Sequence, residues 1–378
     1  MAAPLGVGII GCGNISTTYL KLAPLFQGLE IRAVADLDPT AAEARAEEFG
    51  VRPLGVDALL AAPDIDIALN LTIPDAHVPV TRAILEAGKH AYSEKPLALS
   101  IDEGLALRDL AETRGLAVGC APDTFLGGAH QQARALIDDG AIGPVTAGTA
   151  HVMSAGMEHW HPNPDFFFKP GGGPMLDMGP YYIAALINLI GPVSRVAALT
   201  SAATPTRTIL TEGPRTGERV PVETPTNIHA LLDFGNGATI TLSTSWDVRA
   251  HRHAPMEIYG TEGSLFIPDP NFFGGTLEMA GRDGLIAPVP VRNHPLGVPN
   301  QEHRTGMMAN YRAAGLADMA RAIMRGAEPR CSLDRALHAV DVMTGILRSG
   351  ETGAFVAMQT TCTRPEPLGP DDAAALLA

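Results

Sequence analysis

Short apolar runs alternate with longer amphipathic ones over the first third of the chain. LGVGII (5–10), EIRAVADL (30–37), DIDIALNL (64–71), HAYSE (90–94) and LAVGC (116–120) have the length and branched-residue content of buried strands. Between them, ISTTYLKLAPLF (15–26), TAAEARAEEFG (40–50), DAHVPVTRAILEAGK (75–89) and residues 102–114 repeat apolar positions at helical spacing. Asp75 reads as an N-cap, and Gly50 and Gly88 as helix stops. Strands alternating with helices predict βαβ units on a parallel sheet, an α/β Rossmann-type domain over residues 1–122.

After residue 122 the rhythm changes. One helix (GAHQQARALIDDG) precedes the strand-like GPVTAGTAHV, then a Pro/Gly/aromatic loop at 156–175 and a helix ending at Gly191. Residues 193–268 alternate in strand fashion, with hairpin signals at Gly235-Asn236-Gly237 and Gly260–Gly263. Two helices follow, over about 309–326 and 332–349. Residues 123–378 therefore predict an α+β domain with a large, mostly antiparallel open sheet. The acidic, Pro-rich tail RPEPLGPDDAAALLA is expected to be loosely held.

Composition narrows the function more than the fold. At 46% hydrophobic and 18% charged residues the chain is globular, and 378 residues suit two domains. A net charge of −14 argues against nucleic acid or an anionic membrane surface as partner. The four cysteines, Cys12, Cys120, Cys331 and Cys362, have no CxxC spacing, so neither zinc nor thiol-redox chemistry is indicated. Reduced thiols, no basic leader and no membrane-length apolar run predict a cytoplasmic protein.

GIIGCGNIS closes the first strand. Gly11-x-Gly13-x-x-Ser16 is the dinucleotide fingerprint with serine in the third place. The first glycine makes the turn, the second admits a pyrophosphate, and the helix opening at Asn14 and Ile15 presents free N–H groups. Asp36 ends the second strand at the spacing expected for a ribose-binding acid, which favours NAD over NADP. Lys95, in Glu94-Lys95-Pro96, follows a parallel strand and so is placed at the ligand end of the sheet.

GIIGCGNIS, LTIPDAHVPVTRAILEAGKHAYSEKPLAL and GGGPMLDMGPYY, followed by NYRAAGLADMARAI and HAVDVM, together resemble the Gfo/Idh/MocA oxidoreductase family over nearly the whole chain. The resemblance implies a nicotinamide cofactor, a sugar, cyclitol or related polyol as substrate, and subunits paired as a homodimer or homotetramer through the open sheet. It places Glu94, Lys95 and Pro96 on the family's Glu-Lys-Pro motif, and Asp177 and Tyr181 on its D-x-x-x-H element, with tyrosine where the inositol dehydrogenase branch has histidine. It also places Thr72, Pro74 and His77 on the nicotinamide side of the cofactor site.

Asp177 and Tyr181, four residues apart, share a helix face unless Pro180 breaks the helix. A free phenol ionises near pH 10, so Tyr181 as general base needs a cation, which Lys95 supplies. Lys95 itself or a histidine is the alternative base. Asp177 is expected to bind a second hydroxyl. Trp160, His159, His161 and Asp165 combine an apolar plate with hydrogen-bonding groups, as a sugar pocket requires. Asn310, Tyr311, Arg312 and His338 are candidates to reach the substrate from the late helices. Two other functions fit the same cofactor loop: an NAD-dependent glycosidase and a non-enzymatic dinucleotide-binding sensor. Retention of Lys95, Asp177 and Tyr181 argues against the sensor.

Overall fold

The computed structural model describes residues 3–303 and 306–378. It begins with β1 (Leu5–Ile10), α1 (Asn14–Leu22), β2 (Leu29–Ala35), α2 (Pro39–Phe49), β3 (Arg52–Leu54) and α3 (Val56–Ala61). β4 (Ile67–Asn70), α4 (Pro74–Glu86), β5 (His90–Ser93), α5 (Ile101–Arg114) and β6 (Val118–Cys120) follow. The six strands are parallel in the order β3-β2-β1-β4-β5-β6. This is the doubly wound order in which ligands lie beyond the carboxyl ends of the strands.

Local sequence sets the helix ends. Asp38 accepts from the Thr40 N–H at 2.9 Å to open α2. Ser100 accepts from the Glu103 N–H at 3.3 Å and donates to its carboxylate at 2.9 Å, a capping box for α5. Gly50 and Gly115 close α2 and α5 in the left-handed conformation. α4 opens at Pro74 instead of behind an Asp75 cap; Ile73 takes the cap position, and the N–H that Pro74 lacks is not needed in a first turn. β3 and α3 have no counterpart in the periodicity because three and six residues are too few to register one.

The chain continues through α6 (Gly128–Asp138), β7 (Val145–Met153), α7 (Gly173–Leu189), β8 (Val193–Ser201), β9 (Thr206–Thr208) and β10 (Arg219–Pro221). Then come β11 (Asn227–Phe234), β12 (Thr239–Ser245), β13 (Met256–Gly260), β14 (Ser264–Ile267), β15 (Glu278–Ala280) and β16 (Ala287–Pro288). The last elements are β17 (Gln301–His303), β18 (Gly306–Met308), α8 (Ala314–Arg325), α9 (Leu333–Thr352), β19 (Val356–Ala357) and α10 (Pro370–Ala374). Nine strands form one sheet, β16-β15-β14-β13-β7-β12-β11-β8-β19, antiparallel except where β12 pairs with β7. Ile228, Ala230, Leu232 and Phe234 alternate inward along β11, and α7 packs on that face. Leu199 and Leu231 stand on the opposite face, 76% and 49% exposed.

Grouped by contacts, the chain divides differently from the expected 1–122 and 123–378. One unit comprises Met1–Gly128, Asn293–Val340 and Pro365–Ala378; the other comprises Ala129–Arg292 and Asp341–Arg364. The late segments join the first unit through apolar burial that charge and Pro content hid. The tail is not loose: Leu368, Ala373 and Leu376 are buried, Leu376 O accepts from the Gln27 N–H, and the Ala378 N–H donates to Leu25 O. Among the described residues no helix is long and apolar enough to cross a membrane.

Candidate functional site

In the first unit, β1 delivers the glycine loop. Gly11 has φ 105°, and a Cβ there would lie 2.6 Å from Leu71 O, so the turn requires glycine. Gly13 differs. Its φ is −70°, and a Cβ would meet nothing within 4 Å. The protein's own packing does not demand that glycine, and the space beside it leaves the backbone open to close approach by a ligand. Asn14 and Ile15 open α1 behind it without a side-chain cap. Ser16, in the third-glycine place, is buried; its hydroxyl donates to Gly13 O at 2.6 Å and accepts from Arg45 Nε at 3.2 Å.

Asp36 follows β2 and turns its carboxylate onto this loop. Oδ2 accepts from the Cys12 N–H at 2.7 Å and Oδ1 from the Asp38 N–H at 2.9 Å. Burial, then the Asp36 charge, push the Cys12 thiol up to about 11, so it stays protonated. A carboxylate has acceptor capacity beyond two bonds, so Asp36 can also take ribose hydroxyls. Open space at Gly13, free N–H groups at α1 and an acid on the loop together fit a dinucleotide.

β4 and β5 supply the adjoining wall. Thr72 donates its N–H and hydroxyl to Asn70 Oδ1, at 3.2 and 2.6 Å, and Pro74 opens α4. His77 corrects an expectation. It is 1% exposed, with Nδ1 2.7 Å from Pro96 O and Nε2 3.1 Å from Thr72 O. Both ring nitrogens face backbone carbonyls, so His77 braces the wall and has none left for a cofactor. Glu94 holds the strand end: Oε1 accepts from the Tyr19 hydroxyl at 2.9 Å and Oε2 from the Lys95 N–H at 3.0 Å. Lys95 is half-buried and is joined to Pro96 by a cis peptide bond.

The late candidates of this unit separate. Tyr311 donates to Val298 O at 3.0 Å, and Asn310 bonds Asn300 and Gln301, so both serve a local turn. His338 is fully buried in α9. Arg312 stays half-buried beside them.

In the second unit, α7 runs unbroken from Gly173 to Leu189 with Pro180 inside it. Asp177 and Tyr181 are therefore on consecutive turns of one helix face; Asp177 is half-buried and Tyr181 8% exposed. The three glycines before them have a local cause. Gly171 and Gly173 have φ of 87° and 86°, and a Cβ on Gly172 would lie 2.5 Å from Phe167 O. They turn the chain from the 3-10 turn at Asp165–Phe168 into α7, and that turn requires them without any ligand.

That loop carries the aromatic plate. Trp160 is 61% exposed and meets His161 edge-on at 5.3 Å, and His161 packs edge-on to Phe166 and Phe167 at 5.4 Å. Asp165 has a partner far along the chain, Arg215. Its two oxygens accept from Arg215 at 2.6 and 3.0 Å, which holds its carboxyl below the usual range. It ties the loop to residues 211–218. A second brace lies deeper: Arg207 bonds Glu158 and Asp247, and Thr226 donates to Asp247 at 2.7 Å. His159 is 3.9 Å from Glu158. Sequence reasoning missed Arg207 and Arg215 because each lies 40–50 positions from its acids. Among the described residues no group of three or more His, Cys, Asp or Glu is placed to hold a metal ion.

Comparison with known proteins agrees with this architecture. The model of an oxidoreductase family with an NAD-binding Rossmann fold, GFO/IDH/MocA, matches residues 5–121, and that family's C-terminal domain model matches 130–266. The D-xylose 1-dehydrogenase (NADP(+)) 2 of Haloferax volcanii is 26% identical over 93% of this chain and 99% of that protein. The dTDP-3,4-didehydro-2,6-dideoxy-alpha-D-glucose 3-reductase of Streptomyces violaceoruber is 35% identical over 51% of this chain, and this match spans only 56% of that protein. A solved structure of levoglucosan dehydrogenase in complex with NADH and levoglucosan superposes with a TM-score of 0.80 at 22% identity, over 95% of this chain and 100% of that one, which establishes the fold. With both models of one family matched in order over more than half its length, the chain belongs to the Gfo/Idh/MocA family of oxidoreductases.

Proposed function

We propose that this oxidoreductase removes hydride from a carbon bearing a hydroxyl in a sugar, cyclitol or related polyol, with NAD as the preferred acceptor. The observation that carries the proposal is the glycine loop, open at Gly13 and held by the Asp36 carboxylate. A bound nicotinamide dinucleotide supplies the hydride acceptor. Gly11, Gly13 and the N–H groups of Asn14 and Ile15 hold its pyrophosphate, and Asp36 holds a ribose and repels a 2′-phosphate. Thr72, Pro74, Glu94 and Lys95 shape the wall at the strand ends.

Tyr181 is the acceptor of the hydroxyl proton in this reading, and Lys95 is the cation of the strand-end wall. Asp177 binds a neighbouring hydroxyl. Trp160 offers a face to the sugar ring and His161 a hydrogen bond, while Arg312 reaches a further hydroxyl. The relatives' names supply the first substrates to try: D-xylose, levoglucosan and inositols.

Nicotinamide absorbance, followed with NAD or NADP and this panel, tests the proposal. Reduction by one substrate class, lowered about a hundredfold in Tyr181→Phe, is the expected result. Near-normal turnover in that variant moves the base to Lys95 or a histidine. Silence across the panel, with a polyol glycoside cleaved instead, replaces the dehydrogenase with a glycosidase. We further propose that a second copy of the chain covers the sheet face bearing Leu199 and Leu231. Leu199→Lys with Leu231→Lys should then lower the mass measured by analytical ultracentrifugation, and an unchanged mass removes that interface.

A further inference from the structure

Asp123 stands three residues past the end of β6 and is 2% exposed. Its Oδ2 accepts from the Ala313 N–H at 3.1 Å and the Gly315 N–H at 3.0 Å. These two groups open α8. Ala313 has φ 98° and is the only non-glycine residue with positive φ among those described. Gly315 has no room for a side chain: a Cβ would lie 2.2 Å from the Tyr92 hydroxyl and 2.7 Å from Asp123 Cβ. The turn is thus pressed against the ends of β5 and β6 in a conformation that alanine rarely adopts, and the residue before it is Arg312.

The groups around Asp123 are few. Arg312 in the turn is the cation, and Glu94 at the end of β5 is the second anion. Tyr19 on α1, Tyr92 on β5, Cys120 on β6 and Cys331 before α9 are buried and held neutral by that burial. Burial pushes the Asp123 carboxyl up to about 6, with the Gly315 N–H and the Arg312 charge pulling it back. At neutral pH it is therefore ionised in a place that disfavours the charge. Asparagine would cap the same turn without that penalty. A destabilising charge at the ligand end of a parallel sheet points to a role beyond the cap.

We propose that Asp123 is a positioning residue that fixes Arg312 for contact with substrate, by closing the Ala313 turn and standing as the buried charge opposite the guanidinium. This inference rests on the reading of the chain as a polyol dehydrogenase. The test is a double-mutant cycle on the full chain with the polyol that the panel identifies.

Asp123→Asn and Arg312→Ala should each raise KM for the polyol about tenfold, the loss of one charge-assisted contact, with kcat and NADH affinity within about twofold of wild type. The double variant should be no worse than Arg312→Ala alone. Wild-type KM should rise as pH falls below 6, and that of Asp123→Asn should not. Asp123→Asn should also unfold at higher denaturant than wild type at pH 7.5. A raised carboxyl pKa means that stability falls as pH rises from the unfolded value to the folded one and stays lower above it. Additive effects in the cycle, an unchanged KM, or a variant that is less stable or fails to fold each overturn the proposal. A wild type inactive on every polyol removes the dehydrogenase reading and this inference with it. An active wild type with additive variants removes only the inference.

Discussion

Arg207→Ala should loosen the aromatic loop more than any surface change of equal size. Glu158 is 4% exposed, and Arg207 and Asp247 are both 13% exposed at their side chains. Arg207 bonds both carboxylates and lies 5.8 Å over the Phe168 ring. Truncation leaves the buried Glu158 and the half-buried Asp247 without their cation, which costs about 3–5 kcal/mol. In a unit of this size that lowers the melting temperature by on the order of 10 °C. The reporter is built in: the chain has two tryptophans, Trp160 on the loop and Trp246 packed 5.7 Å from Phe168 and 5.8 Å from Phe167. Tryptophan fluorescence during thermal melting therefore reads this region directly. Arg219→Ala, on an exposed arginine whose side chain bonds the Thr206 hydroxyl, is the control and should stay within about 0.5 kcal/mol. A loss below about 1 kcal/mol in Arg207→Ala would refute the idea that the pair braces the loop.

Three further outcomes follow from the described geometry. Gly13→Ala should leave the melting temperature near wild type yet weaken NADH binding by tenfold or more, whereas Gly11→Ala should lower both, as calorimetry and fluorescence titration would show. Asp36→Ala should raise the NADP-to-NAD ratio of kcat/KM by about tenfold, and an unchanged ratio would remove Asp36 as the selector. His130 is buried, its ring 2.8 Å from Phe272 O, and burial drops its pKa to about 4. A depressed histidine pKa means the unfolded chain binds the extra proton first, so this contribution is present above pH 6.5 and lost as pH falls toward 4. His130→Gln should flatten that part of the urea-stability profile, and a profile equal to wild type would assign the loss to other groups.

The legible parts of this chain were those whose cause is local. Gly11, Gly13 and Asp36 could be placed because a turn, a helix start and a strand end lie within one βαβ unit. The face shared by Asp177 and Tyr181 follows from helical spacing once the helix survives Pro180. What stayed hidden depends on partners far along the chain. The ion pair of Asp165 is invisible until Arg215, 50 positions on, is seen bonding both its oxygens. His77 resembles a cofactor contact until the carbonyls of Thr72 and Pro96 are found at its two nitrogens. Asp123 gives no periodic signal, since the N–H groups it binds lie 190 and 192 positions away. Its one clue is local: an acid three residues past the last parallel strand.

The return of the tail has a consequence for how the molecule is made. The dinucleotide-binding unit begins with the first strand, yet it takes in Asn293–Val340 and is closed by the bonds from Gln27 to Leu376 and from Ala378 to Leu25. The intervening unit uses nearby sequence for most of its sheet. On a ribosome, the half that emerges first thus waits with its Phe26–Leu29 edge uncovered until residues 365–378 arrive, and the half inserted within it can complete its strands sooner. The glycine loop is synthesised early, but the unit around it is closed only once residues 365–378 follow.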